Sequence, residues 1–464
     1  MKKYDITVIG GGPGGYVAAI RAAQRGATVA LVEKEYFGGT CLNWGCIPTK
    51  ALIASAEVFQ TITEAEEFGI DIDGTATPDW PAIMTRKDKI VETLRNGIGA
   101  LLKSNKVKVY KGTAAFASRR QIRIADADGN EETIETNKTI LATGSVSVRP
   151  GFIPKAKNIL YSKEALASEK LPKDILVLGG GVIGCEFACM YARFGVKVTL
   201  VEMLPEILPM VDKDVARVVR KSMKQLGIDI LTGTAMEDIK SSRGTITAKV
   251  GDIKLSASTM LVCIGRKAFT DGLNLEAAGL ETNENGLIDV DEKCRTAVPG
   301  IYAIGDIAGI IQYAHRASAM GIVAANNATG ESDAHSDALV PGCIFTKPEI
   351  GAVGLTEQQA KDDGYDVAVG KFPFAALGKA QIHGETDGFC KIVSDKTTDQ
   401  VLGVHIVGPH ATDLIAEAAT AMNLEITVAE LGRAMHAHPT LGEVSMEAAH
   451  AVHGECIHMP KQRH

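Results

Sequence analysis

Two cysteines lie close together in the segment Gly38-Gly-Thr-Cys41-Leu-Asn-Trp-Gly-Cys46-Ile-Pro-Thr-Lys50. A thiolate attacks a disulfide sulfur, so paired cysteines can pass two electrons between a dithiol and a second carrier. In an ideal helix, residues at this separation have Cα atoms about 8.7 Å apart. A disulfide wants less than about 7 Å. The pair can therefore bridge only where the helix is distorted or begins within the motif, and Gly45 and Pro48 permit both. A strained, partly accessible bridge is the reducible kind. A purely structural disulfide and half of a zinc site are the alternatives. No second closely spaced pair completes a four-cysteine zinc site. Cys185 and Cys189 fall one helical turn apart and read as packing, as do the isolated Cys263, Cys294, Cys343, Cys390 and Cys456.

A second chemistry is written in glycine. Gly10-x-Gly12-x-x-Gly15 follows an apolar run and precedes a helical pattern. The first glycine turns the chain, the second admits a pyrophosphate to the backbone, and the third packs helix on strand. The helix N-terminus then stabilises the phosphate charge. Glu33 closes the next strand, placed for a ribose hydroxyl. The whole pattern returns at a constant offset as Gly179, Gly181, Gly184 and Glu202. No Lys or Arg stands between Glu202 and Lys213, which favours NAD over NADP at this second site. Two dinucleotide sites in one chain imply an electron relay.

The elements that must position these residues follow. Each copy reads as strand, glycine turn, helix and strand, a βαβ unit with a right-handed crossover and a parallel sheet. Between the copies the pattern predicts a helix near 50–59, then an acidic loop with Pro78 and Pro81 as breakers, then a long amphipathic helix over about 81–103. From about Val340 strands alternate and then give way to Ala-rich helices, a third domain. The chain has 464 residues and a formal net charge of −7 with signs mixed, a poor match for nucleic acid or an anionic membrane. Hydrophobic content of 45% with 23% charged residues excludes whole-chain disorder, collagen and a membrane bundle. Nine cysteines, an odd number, argue against a fully paired secreted framework. No run of apolar residues is long enough to span a membrane, and the N-terminal apolar stretch is broken by glycines, so a cytoplasmic location is expected. His450, His453, Cys456, His458 and His464 match no standard metal spacing, and no metal is expected.

The Gly-Gly-Thr-Cys-x4-Cys-Ile-Pro-Thr-Lys segment resembles the redox motif of the pyridine nucleotide–disulfide oxidoreductases. So do Ala142-Thr-Gly144, Ile301-Tyr-Ala-Ile-Gly-Asp306 and His436-Ala-His438-Pro-Thr-Leu-Gly-Glu443, and the likeness covers essentially the whole chain. It implies an α/β fold with two Rossmann-like domains, for FAD and NAD, and a C-terminal α+β interface domain. The boundaries expected are 1–147 for the first part of the FAD domain and 148–270 for the NAD domain. The central return to the FAD domain is expected over 271–339, and the interface domain over 340–464. The resemblance assigns Gly10, Gly12, Gly15, Glu33, Lys50, Thr143, Gly144, Asp306, Ala314 and His315 to FAD. It assigns Gly179, Gly181, Ile183, Gly184, Glu186, Glu202, Gly265 and Arg266 to NAD. Ala268-Phe269 departs from the family, which often shows Pro-Asn there.

A thiol substrate needs a base near neutral pKa, and histidine suits. The family pattern His-Pro-x-x-x-Glu selects His438, backed by Glu443, over His436. Segments such as Ala314-His315-Arg-Ala317 and Phe345-Thr-Lys-Pro-Glu349 liken the chain to members that oxidise protein-bound dihydrolipoamide with NAD+. That likeness implies a homodimer in which a lipoyl dithiol attacks Cys41, helped by His438 of the other subunit, while Cys46 lies against the flavin. The partner expected is the lipoyl-bearing acyltransferase core of a 2-oxo acid dehydrogenase complex, or a lipoyl carrier protein of glycine cleavage. The alternatives are an NADPH-dependent glutathione-type reductase, a mercuric reductase, and a docking subunit of a multienzyme complex.

Overall fold

The computed structural model describes residues 1–460. Strand β1 (Lys3–Ile9) leads into helix α1 (Pro13–Gln24) and strand β2 (Val29–Glu33). The two strands pair in parallel; β2 is buried along nearly its whole length, and β1 is buried from Ile6 onward. Parallel strands covered on both faces carry apolar runs, as in Val29–Val32. On one side of this sheet β2 pairs with Lys108–Lys111; on the other β1 pairs with Glu131–Leu141. The first half of Glu131–Leu141 carries an antiparallel meander, Gln121–Ala125 and Thr113–Ser118. Its last residues pair in parallel with Ile301–Ala303, so the chain returns to its first sheet after a long excursion.

That excursion is the second unit. Its five parallel strands run in the order Asp229–Thr232, Lys197–Glu202, Asp174–Leu178, Thr259–Val262, Ile159–Leu160. A three-stranded antiparallel sheet over 236–257 packs against it. The ribbon of Ser145–Ser147 with Arg266–Ala268 marks where the chain leaves and re-enters the first unit. The C-terminal unit is an antiparallel sheet ordered Gly342–Ile344, Glu349–Gly354, Val401–Gly408, Phe389–Asp395, Val367–Pro373. Helices Ala411–Asn423 and Glu443–Val452 bury apolar residues against it.

Two sequence expectations shift in detail. The helix expected near 50–59 runs Cys46–Thr63, and the one expected from 81 runs Trp80–Ser104. Pro81 does not break that helix; it sits in the first turn, where its missing N–H costs nothing, and Asp79 caps the Ala82 amide at 3.0 Å. Among the described residues no helix is long and apolar enough to cross a membrane.

The second and third units are joined by a buried lysine. Lys391 is 2% exposed, and its ammonium lies 2.9 Å from Asp212, 3.2 Å from Asp214 and 2.8 Å from Glu357. Asp214 and Glu357 keep other lysine partners, but removing Lys391 leaves the buried Asp212 carboxylate without a cation, at about 3–5 kcal/mol. Lys391→Met is therefore expected to lower the apparent Tm by several degrees. A thermal melt that is unchanged would contradict this reading of the junction.

Candidate functional site

After β2 the chain forms a short helix, α2 (Gly39–Trp44), then restarts as α3 (Cys46–Thr63). Gly45 lies between them, outside helical geometry, where a Cβ would press to 3.0 Å on the Thr40 carbonyl. The helix is thus interrupted and restarts within the motif, one of the two arrangements that would let the pair bridge. Cys41 and Cys46 are both free thiols here, the reduced state of the pair. The Cys41 thiol donates to the Cys46 sulfur, which lowers the Cys46 pKa to about 7; burial opposes this and the nearby Lys50 ammonium reinforces it. The same hydrogen bond, with burial, pushes Cys41 up. The pair therefore holds its first negative charge on Cys46.

Lys50 stands one turn beyond Cys46 on α3, on the same face. Its ammonium bonds both carboxylate oxygens of Glu186, at 2.9 and 2.8 Å. Glu186 is buried in helix Val182–Arg193 of the second unit. The two residues form one ion pair, the pairing that the family resemblance implies.

The two glycine loops are built alike. Gly10 and Gly179 adopt φ of +103° and +109°, and a Cβ on either would run into the carbonyl ending the neighbouring strand, Ala142 or Cys263. Gly15 and Gly184 bring each helix onto the carbonyl of that first glycine. Glu33 accepts from the Gly11 amide at 2.6 Å, and Glu202 from the Gly180 amide at 2.6 Å. Each carboxylate also takes a second amide, Glu35 at 2.7 Å and Leu204 at 2.8 Å, which fixes its direction and leaves lone pairs for ribose hydroxyls. Both helices start without a side-chain cap. Their free amides therefore face a single cavity of about 2350 Å³, lined also by Cys41, Cys46, Lys50 and Glu186. That volume exceeds an ordinary small-ligand site severalfold. Uncapped amides, glycine cradles and ribose-ready carboxylates fit FAD at the first loop and NAD at the second.

Other assigned residues take unforeseen partners. Arg266, assigned to NAD, reaches residues of the first unit. It donates to Ser145 Oγ at 2.8 Å and to the Ser145 carbonyl at 2.6 Å, and reaches Thr40 beside Cys41. Ser145 in turn donates to Asp306. Ser145 was not singled out in sequence, although it directly follows the Ala-Thr-Gly motif. Thr143 gives its hydroxyl to the Phe269 carbonyl at 2.5 Å, so it ties down the loop that departs from the family pattern. Gly144 accepts from the Phe269 amide at 2.9 Å. His315 stacks on Tyr313 and bonds the Pro341 carbonyl at 2.8 Å; burial holds its pKa below the usual value. Gly12, Gly181, Ile183, Gly265 and Ala314 line the cavity.

His438 stands apart. Its Nδ1 lies 2.9 Å from Glu443, which also takes the Thr440 amide at 2.8 Å. Burial works to raise the Glu443 carboxyl, but the Thr440 amide and His438 together hold it below the usual range. With Nδ1–H donated to the carboxylate, Nε2 is the basic nitrogen, and the side chain is 77% exposed. His438 does not line the cavity of its own chain. His436 differs: Glu417 at 2.7 Å and the Ala434 carbonyl at 2.9 Å occupy both ring nitrogens. Farther on, Glu447 lies 3.1 Å from Cys456 and 2.6 Å from His458, and His453 lies 2.7 Å from Asp399. His464 lies outside the described residues.

Comparison with known proteins matches this architecture. Residues 4–321 match the family described as pyridine nucleotide-disulphide oxidoreductase, and residues 340–449 match its dimerisation domain. The dihydrolipoyl dehydrogenase of Bacillus subtilis is 44% identical over 98% of this chain and 99% of its own length. That of Chlamydia pneumoniae is 43% identical over 99% of each. Among solved structures, LpdA from Mycobacterium tuberculosis has a TM-score of 0.90 at 28% identity, over 97% of this chain and 99% of its own. The HOCl-induced flavoprotein disulfide reductase RclA from Escherichia coli has a TM-score of 0.87 at 28% identity, over 96% and 99%. With both domain models matched along nearly its whole length, the chain belongs to the pyridine nucleotide-disulphide oxidoreductase family.

Proposed function

We propose that the chain is an FAD-dependent, homodimeric dihydrolipoyl dehydrogenase that oxidises a protein-borne dihydrolipoyl dithiol with NAD+. The observation that carries this reading is the thiol pair in the wall of a cavity shared by both dinucleotide loops. The full-length relatives of that activity support it. When bound, FAD supplies the two-electron connection between the thiols and the nicotinamide.

The chain's own residues do the following. His438 Nε2 of one subunit takes the proton of a substrate thiol at the thiols of its partner. The substrate thiolate attacks Cys41 of the oxidised pair, the Cys41–Cys46 bond breaks, and Cys46 leaves as thiolate. The second substrate thiol attacks the mixed disulfide and releases Cys41. The substrate ends as a disulfide and the pair as a dithiol, so the electrons balance. The Cys41 thiol and Lys50 stabilise the Cys46 thiolate. Glu443 orients the imidazole and stabilises its protonated form, as carboxylates do in triads. The exposure of His438 and its absence from the lining of its own chain's cavity support supply from a second copy. The docking partner we assign is a lipoyl-bearing acyltransferase core or lipoyl carrier protein.

Four outcomes are expected. Steady-state assays should give NADH from dihydrolipoamide and NAD+, with little turnover of glutathione disulfide or mercuric ion with NADPH; the reverse preference would overturn the reading. His438→Gln should cost about 10²–10⁴-fold in kcat, the usual size of a lost general base. Glu202→Arg should move the NAD+ to NADP+ ratio of kcat/KM by about ten- to a hundredfold, from the loss of a charged hydrogen bond. The pH dependence has a definite sign. Because Cys46 is lowered, its thiolate is present above about pH 7 and lost below it. Long-wavelength absorbance of the two-electron-reduced, FAD-loaded protein should therefore fall as pH drops through about 7, not near the ordinary thiol value of about 8.5.

A further inference from the structure

The Lys50–Glu186 pair joins the first two units, but a third unit also reaches it. The Phe345 amide donates to Glu186 Oε1 at 3.0 Å. The Lys50 ammonium lies 4.5 Å from the centre of the Phe345 ring. One residue of the C-terminal unit therefore touches both members, with its backbone on the carboxylate and its ring on the cation. Its neighbours pin it in place. Ile344 is 2% exposed in the core shared by all three units' contact region, and Thr346 is 1% exposed with its hydroxyl on the Pro348 carbonyl at 2.7 Å. Ser222 of the second unit bonds the Lys347 carbonyl at 2.7 Å.

We propose that Phe345 is a positioning residue: its amide directs Glu186 and its ring face holds the Lys50 ammonium toward Cys46 instead of letting it swing into the cavity. A lysine stem has four rotatable bonds, and one carboxylate leaves much of that freedom open. An aromatic face within about 6 Å supplies a second attraction that is directional and worth most where water is scarce. Cys46 then feels a fixed positive charge, not an averaged one. The charged and titratable groups about Cys46 are Cys41 on α2, Lys50 on α3, Glu186 on helix Val182–Arg193, and Arg266 beyond the ribbon. Of these, only Lys50 and Glu186 touch Phe345.

The inference rests on the proposed role of Cys46 as the thiolate of the pair, and its test separates the two. The FAD-loaded protein, reduced to the dithiol, is alkylated with iodoacetamide across pH, and the Cys46 peptide is followed by mass spectrometry. Phe345→Leu keeps the amide and an apolar side chain but removes the π face. It should raise the midpoint of Cys46 alkylation by about half a pH unit, a roughly threefold loss of thiolate near neutrality. Phe345→Tyr keeps the ring and should restore the original midpoint. An unchanged midpoint in Phe345→Leu, or an equal shift in both variants, would overturn the proposal. A wild-type Cys46 midpoint at the ordinary thiol value would instead sink the thiolate reading itself.

Discussion

The ion pair between Lys50 and Glu186 is the contact on which the rest of the site depends. It joins α3, which carries Cys46, to the helix that opens the second dinucleotide loop. Glu186 is almost fully buried, and a buried carboxylate is tolerated only when its lone pairs are met. Here an ammonium and the Phe345 amide meet them. Breaking such a pair typically costs about 3–5 kcal/mol, because the remaining charge is left without compensation. The same pair sets chemistry as well as stability. It fixes a positive charge one helical turn from Cys46, the sulfur that leaves as an anion in the proposed mechanism.

The two dinucleotide loops show how far one local solution can be reused. Both begin with a glycine in the left-handed region, pressed under the end of the adjacent strand. Both place a glutamate on the amide after that glycine. Neither helix carries a capping side chain, so its first amides remain for phosphate. The first sheet then adds Ser145 and Arg266, which carry its hydrogen bonding from Asp306 to Thr40 beside the thiols.

Much of this was legible in sequence because it is local. The doubled glycine pattern, the strands ending in Glu33 and Glu202, and a break in helical geometry at the cysteine motif all follow from spacing and backbone geometry. His438 with Glu443 also lies within one short segment, although choosing it over His436 took a family pattern. In the structure both ring nitrogens of His436 are already occupied, which supports that choice. What sequence did not reveal is what the fold brings together from afar. Phe345 meets Lys50 and Glu186 only because three units converge there. Lys391 reads as an ordinary strand residue until Asp212, Asp214 and Glu357 surround it. The family resemblance assigns Arg266 to the nicotinamide site, and the ribbon with Ser145–Ser147 carries its side chain to the first unit.

The central claim is that each working site combines Cys41 and Cys46 of one chain with His438 of another. Hybrid dimers test it most directly. Subunits carrying Cys46→Ser and subunits carrying His438→Gln are co-expressed with different tags, and the mixed dimer is isolated. Each parent dimer should be nearly inactive. In the hybrid, one site receives both substitutions and the other receives neither, so about half of the wild-type dihydrolipoamide activity should return. A hybrid no more active than its parents would place cysteines and histidine in the same chain's site and contradict the account.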